Sequence, residues 1–225
     1  MSLVFILSPA RLDGKRARIL LSPRARFPLA LAVASGGGAP LGDVFSFLSG
    51  LYFRGKLAYA NAFANPPQRV PPILVITTHR GLWSPSEHVG REDLHAFSEV
   101  DLAHADDRFR TPLRLDAQAL ARRLDHTTRI VLLGSIATGK YVDPLLEVFG
   151  DRLVFPTAFV GRGDMSRGGL LLRHARERRE LEYGPVAGAI RHGARPPKLT
   201  PIRDWQRASE RSAMRHVTAR PDKRR

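Results

Sequence analysis

The stretch RIVLLGSIATGKYVDPLLEVFGDRLVFP, Arg129 to Pro156, decides the fold class. Arg129–Leu133 is a short apolar, β-branched run and reads as a strand. Asp143-Pro144 opens a helix that runs to Phe149 and closes at Gly150. Leu153–Phe155 reads as another strand, ended by Pro156. A strand, a helix and a strand in such close succession form a βαβ unit, the building block of a parallel sheet.

The same alternation extends in both directions. Upstream, Leu3–Ser8 is a plausible first strand and Ile73–Thr78 the clearest early one. Between them, Arg24 to Ala34 is predicted helical, with Pro28 as an obstacle. A longer helix runs from a cap at Asp43 to about Ala64, weakened in its middle by Gly50 and Gly55. Glu92 to Ser98 is a short helix, and Pro112 starts another through Leu113, Leu120 and Leu124. Downstream, Met165–Glu182 is helical, Gly184 to Pro197 is loop, and Ile202 to Val217 is a final helix. The expectation is an α/β protein: three layers, with a largely parallel twisted sheet flanked by helices. Residues 1–188 form one domain, and residues 189–225 a basic loop and helix.

In such sheets ligands bind outside the carboxyl ends of the strands. That rule selects three segments: those after Thr78, after Leu133 and after Phe155. The first carries His79 and Arg80, a candidate general base and a candidate partner for phosphate or carboxylate; a solvated loop is the competing reading. The second, Gly134 to Lys140, fits the Gly-x-x-x-x-Gly-Lys pattern of a phosphate loop, with backbone amides and Lys140 cradling phosphate. Against it, Tyr141 stands where a magnesium-binding hydroxyl belongs, so a plain strand-to-helix turn competes. In the third, glycines allow close backbone approach while Arg162 and Arg167 could hold an anion. There Asp164 is either a catalytic acid/base or an N-cap.

Two further clusters are charged. Glu99, Asp101, His104, Asp106 and Asp107 are hard metal-ligand types, but their spacing fits no compact site, so neither metal nor cofactor is expected. Arg203, Arg207, Arg211 and Arg215 fall four apart, one stripe on a helix beside Trp205 and a candidate phosphate-contacting face.

Composition limits the function classes. The 225 residues contain no cysteine, which excludes disulfides, thiolate metal sites and cysteine nucleophiles. The apolar runs are far shorter than the roughly 18–20 residues of a membrane-spanning helix. The N-terminus does not read as a secretory signal, because Pro9 cuts its apolar stretch, and a cytoplasmic location is expected. The net charge of +15 attracts polyanions, DNA or RNA first. Of the 36 basic residues only five are lysine, so a GC-rich genome is an alternative source of the arginines. Eleven of the basic residues, against three acids, lie between Ala189 and Arg225.

Several segments in order resemble a known family. Leu51-Tyr52-Phe53-Arg54 begins a helix. Ile73–Thr78 leads to Gly81-Leu82 and Pro85. Gly134 and Tyr141 follow a later strand, and Pro156, Gly161 and Gly163 follow the next. Over roughly residues 45–175 this order resembles the YaaA-like group of small α/β proteins, and more distantly the uracil-glycosylase-like domain of archaeosine synthases. His79-Arg80 stands where that group tends to have an alanine-lysine-tyrosine type of turn. The resemblance implies a compact α/β fold associated with DNA or RNA, sometimes near base-modification chemistry, and supplies no catalytic set.

The function expected from the sequence is therefore a nucleic-acid-associated protein with a pocket for a base or nucleotide. Arg54, His79, Arg80, Lys140, Tyr141 and Arg162 would line it, with Gly134 and Gly139 in the turn and Tyr141 stacking on a base. If it is an enzyme, nucleobase modification or glycosidic cleavage is the class, with His79 and Asp164 as acid/base groups. Two alternatives stand beside it: a phosphate-loop hydrolase or kinase centred on Lys140, and a non-enzymatic protein whose basic tail docks on an acidic partner.

Overall fold

The computed structural model describes residues 1–100, 107–197 and 199. The first third of the chain holds β1 (Leu3–Leu7), α1 (Lys15–Leu20), α2 (Pro28–Ala34), β2 (Ala39–Pro40), α3 (Leu41–Ser49) and α4 (Leu51–Phe63). Next come β3 (Ile73–Ile76), β4 (Leu82–Trp83), β5 (His88–Val89), α5 (Arg91–Ser98) and α6 (Asp107–Ala121). Last are β6 (Arg129–Leu133), α7 (Gly139–Phe149), β7 (Leu153–Pro156), α8 (Asp164–Glu177) and β8 (Tyr183–Pro185).

Six strands form one sheet in the order β4-β3-β1-β6-β7-β8. The inner four are parallel: Phe5 of β1 pairs with Ile73 on one side and with Val131 on the other, and Val131 pairs in turn with Val154. β1 and β3 are buried at every residue rather than at alternate ones. That is the signature of a sheet covered on both faces, and it explains why these strands are unbroken apolar runs. Each such side chain contributes about 1.5–3 kcal/mol by leaving water. Both edges end in short antiparallel strands, β4 against β3 and β8 against β7.

The connections run in two directions. From β1 the chain moves outward to β3, then crosses back over β1 to β6 and continues to β7. Right-handed crossovers place helices of opposite travel on opposite faces. Accordingly α4 packs on α8 and α6 packs on α7. The outgoing chains of neighbouring strands β1 and β6 therefore diverge, which makes their carboxyl ends the switch point of the sheet, the place where α/β folds form a crevice.

The α4–α8 crossing is unusually close. A Cβ added to Gly55 would lie 2.7 Å from the Gly168 carbonyl oxygen, and one added to Gly168 would lie 2.7 Å from that of Leu51. The two glycines let the helix backbones touch.

Several sequence expectations are corrected. The helix predicted from Asp43 to Ala64 is two, and of its two weak points, Gly50 and Gly55, the break falls at Gly50, whose φ is +61°. Arg16 fills the space beside that glycine and donates to the Phe47 carbonyl at 3.1 Å. Pro28 is not an obstacle but the first residue of α2, where its missing N–H costs nothing. Pro112 does not start α6; it lies inside it, and Asp116, one turn on, accepts the Leu82 amide at 2.8 Å. The loop expected from Gly184 holds the edge strand β8, where Pro185 is tolerated. Residues 189–197 lie against the body: Arg191 is 3.6 Å from Asp143, and Arg162 donates to the Pro197 carbonyl.

Among the described residues, no helix is long and apolar enough to cross a membrane.

Candidate functional site

The crevice is built from the first residue beyond each of the two central strands. Ser8 follows β1, and its amide donates to the Leu133 carbonyl at 3.1 Å, joining the ends of β1 and β6. Gly134 follows β6. A Cβ there would lie 2.9 Å from the Ser8 Cβ and 3.0 Å from the Tyr141 Oη, so only glycine admits both neighbours.

Lys56 enters from α4. Its Nζ donates to the Ser8 carbonyl at 2.5 Å and lies 2.9 Å from the Ser8 Oγ. It sits over the rings of Tyr52 at 4.6 Å and Phe53 at 4.8 Å. The residue is 1% exposed, and among the described residues no carboxylate bonds to it. Burial pulls its ammonium down to about 7, with the more distant Asp164 opposing. A lysine ammonium enclosed this way loses hydration that two neutral oxygens only partly replace.

Two tyrosines complete the floor. Tyr141 leads from the first turn of α7, and its Oη accepts the Ser135 amide at 3.0 Å. Burial pushes its phenol up, while the adjacent Ser8 hydroxyl favours the charged form. Tyr52 is also buried, and among the described residues its Oη has no hydrogen-bond partner. Burial raises its phenol well above the ordinary range, and the nearby Arg167 guanidinium opposes this. An enclosed hydroxyl with no partner is uncommon and calls for an explanation.

The rim comes from α8. Arg167 donates twice to the Phe159 carbonyl, at 3.2 and 3.1 Å, lies over the Phe159 ring and is 3.7 Å from Asp164. Asp164 is the first residue of α8; Gly163 is the N-cap, so the carboxylate does not cap the helix. The Asp164 side chain is 70% exposed. The Gly55–Gly168 contact sets the spacing, because Lys56 and Arg167 are the neighbours of those glycines in sequence.

Of the residues selected from sequence, Gly134, Tyr141, Asp164 and Arg167 belong to this crevice. Tyr141 is placed as a buried hydrogen-bond acceptor rather than as an open stacking face. Arg162 is committed to the Ala158 carbonyl at 3.0 Å and to the Ser166 hydroxyl at 3.2 Å. Lys140 and Arg54 are exposed. In the Gly134–Lys140 turn, two amides are already used: Ser135 on Tyr141, and Ala137 on the Ser135 hydroxyl. The Asp143 carboxylate stands against Gly139 at the start of α7, where an anion would have to sit.

His79 and Arg80 end β3 in a separate turn. Arg80 is 3.2 Å from Asp93 and stacks on Trp83. His79 faces Phe97, its Nε2 accepts from Arg80 at 3.4 Å, and among the described residues its Nδ1 has no partner. Burial and the Arg80 charge lower its pKa.

Among the described residues no group of three His, Asp or Glu is placed to hold a metal ion. Asp101, His104, Asp106 and the arginines 203, 207, 211 and 215 lie outside the described residues. On the α6–α7 face, Asp107, Arg110, Thr111, Arg114, Pro144 and Glu147 line a cleft of about 340 Å³.

Sequence reasoning missed Ser8 and Lys56. The available signal was a lysine inside an otherwise apolar stripe, in register with Tyr52, Tyr59 and Phe63 on α4. No family model, curated protein or solved structure matches the chain.

Proposed function

We propose that this protein binds a nucleotide unit of a nucleic acid in the crevice between the carboxyl ends of β1 and β6. The observation that carries the proposal is the group of buried polar atoms gathered there: the Lys56 ammonium without a carboxylate, the unpartnered Tyr52 hydroxyl, and the Ser8–Tyr141 pair. Buried polar groups left short of partners are costly, and a ligand that supplies the partners recovers that cost. The cationic Lys56 and Arg167 favour an anionic ligand, and the aromatic walls suit a base. The net charge of +15 would steer a polyanion to the surface. The resemblance to the YaaA-like group points to the same class of partner, and base modification or glycosidic cleavage is the chemistry to test there.

The deciding experiment is fluorescence anisotropy with single-stranded DNA, duplex DNA and tRNA across a salt series. The wild type is compared with Arg167→Gln and with a variant replacing Arg203, Arg207, Arg211 and Arg215 by alanine. Salt-steep binding weakened about tenfold by Arg167→Gln supports the crevice. Binding lost only in the fourfold variant moves the contact to the tail, and no binding at low salt defeats the proposal.

A further inference from the structure

We infer that Ser8 and Lys56 form a serine–lysine dyad, a nucleophile and its general base, that cleaves carboxylic esters. The inference rests on the same crevice as the proposed function but not on the identity of the nucleotide ligand.

The geometry satisfies the requirements for an activated serine one by one. Nucleophile and base must be within hydrogen-bond reach, and the Lys56 Nζ is 2.9 Å from the Ser8 Oγ. The base must be held in place, and the nucleophile's own backbone carbonyl, that of Ser8, holds the Nζ at 2.5 Å. The base must exist as a free amine near neutral pH. Lys56 lies between two aromatic rings with no bonded carboxylate among the described residues, conditions that favour the amine. In that state the hydrogen bond reverses: Ser8 donates its hydroxyl proton and the Nζ accepts it. Lys56 is pulled down to about 7, so both forms are populated at neutral pH. Asp164 from α8 acts on it, and Tyr52, over whose ring the Nζ lies, is in turn influenced by Tyr141 from α7 and by Asp164 and Arg167 from α8.

Tyr141 supplies the remaining part. Its Oη accepts from the Ser135 amide, so its own proton is available to Ser8 or to an oxyanion formed on the substrate. The missing Cβ of Gly134 lets Ser8 and Tyr141 approach each other over it. Serine placed immediately beyond a central strand, at the switch point, is positioned where α/β folds present reactive groups.

The reaction balances without an added co-reactant other than water. The Ser8 Oγ forms a bond to the ester carbonyl carbon as its proton passes to the Nζ. The carbon–alkoxide bond breaks, and the leaving alcohol takes that proton from Lys56. Water then attacks the acyl-serine, giving its proton to the Nζ and its hydroxyl to the carbon. Ser8 leaves and recovers a proton from Lys56.

The test treats the full-length protein with a fluorophosphonate probe and follows adduct formation by intact mass and peptide mapping between pH 6 and 9. Stopped-flow release of 4-nitrophenol from 4-nitrophenyl acetate is measured in parallel. The expected result is one adduct on Ser8, with a labelling rate that rises through a pH of about 7. Ser8→Ala should abolish it and Lys56→Met should slow it by about 100-fold or more. Should Lys56→Met not fold, as judged by thermal melting, the wild-type pH profile decides. No adduct on Ser8, or labelling indifferent to pH over that range, overturns the dyad. Nucleic-acid anisotropy on the same preparation separates the two ideas. Binding without Ser8 labelling overturns only the dyad, and labelling without binding overturns only the nucleotide reading.

Discussion

The ends of β3 and β1 lie side by side in the sheet, yet they treat polar groups in opposite ways. Beyond β3, the hydroxyl of Thr77 donates to the Gly81 carbonyl and accepts the Arg80 amide. Thr78 donates to the Phe97 carbonyl, and Arg80 pairs with Asp93. Apart from the His79 Nδ1, the turn consumes its own hydrogen-bonding capacity. Beyond β1, among the described residues, a buried ammonium bonds only to neutral oxygens, and a buried phenol has little beyond the nearby Arg167 charge. The first end resembles a finished turn, and the second an arrangement awaiting a partner. A charged pair in the sequence is therefore a poorer guide to a site than a polar group the fold has left short.

The comparison breaks most readily through pH. The folded-state pKa of Lys56 is lowered from 10.5 to about 7, so between those values the unfolded chain binds more protons than the native one. The Lys56 contribution to stability then rises with pH across that window. From pH 7 to 10 the contribution is about 3 kcal/mol, read by urea unfolding, and Lys56→Met should remove that rise. The window starts above His79, whose lowered pKa adds a rise confined to pH below 6.5. A variant that keeps the full slope would mean Lys56 is not the titrating group.

Next in size is the support of the crevice. Gly168→Val drives side-chain carbons into the Leu51 carbonyl and should cost about 2–3 kcal/mol, seen as a lower Tm, while weakening nucleic-acid binding. Tyr141→Phe is milder. It leaves the half-buried Ser135 amide unpaired and should cost about 1–2 kcal/mol in denaturant melts. The smallest effect belongs to the other strand end. Arg80→Ala loses a partly exposed ion pair and a contact with Trp83, worth about 1 kcal/mol or less, with binding in anisotropy unchanged. Strong loss of binding in that variant would reverse the ranking of the two ends.

Much of the sheet was legible. Its four parallel strands are buried on both faces, so each had to be an apolar run bounded by glycine or proline. The edge strands escaped notice because two or three residues such as Leu82-Trp83 carry no period. Pro112 misled because proline favours a helix start locally, while here the helix extends past it. The site was half legible. Tyr141, Asp164 and Arg167 follow strands or glycine turns that mark themselves. Ser8 ends the strand read from sequence, and nothing local marks it, because strand order is a property of the whole sheet and no local pattern records that β1 lies between β3 and β6. Lys56 is legible only once Tyr52 and Tyr59 are known to face inward.

The contact of Gly55 with Gly168 has a dynamic consequence. Helices that touch backbone to backbone have no side chains between them to re-pack, so sliding one past the other would have to break the contact rather than deform it. Lys56 and Arg167 therefore move as parts of one rigid block, and any adjustment to a ligand falls to the loops after β1 and β6. Amide hydrogens around residues 52–56 and 168–171 should accordingly be among the last to exchange with solvent, ligand present or absent.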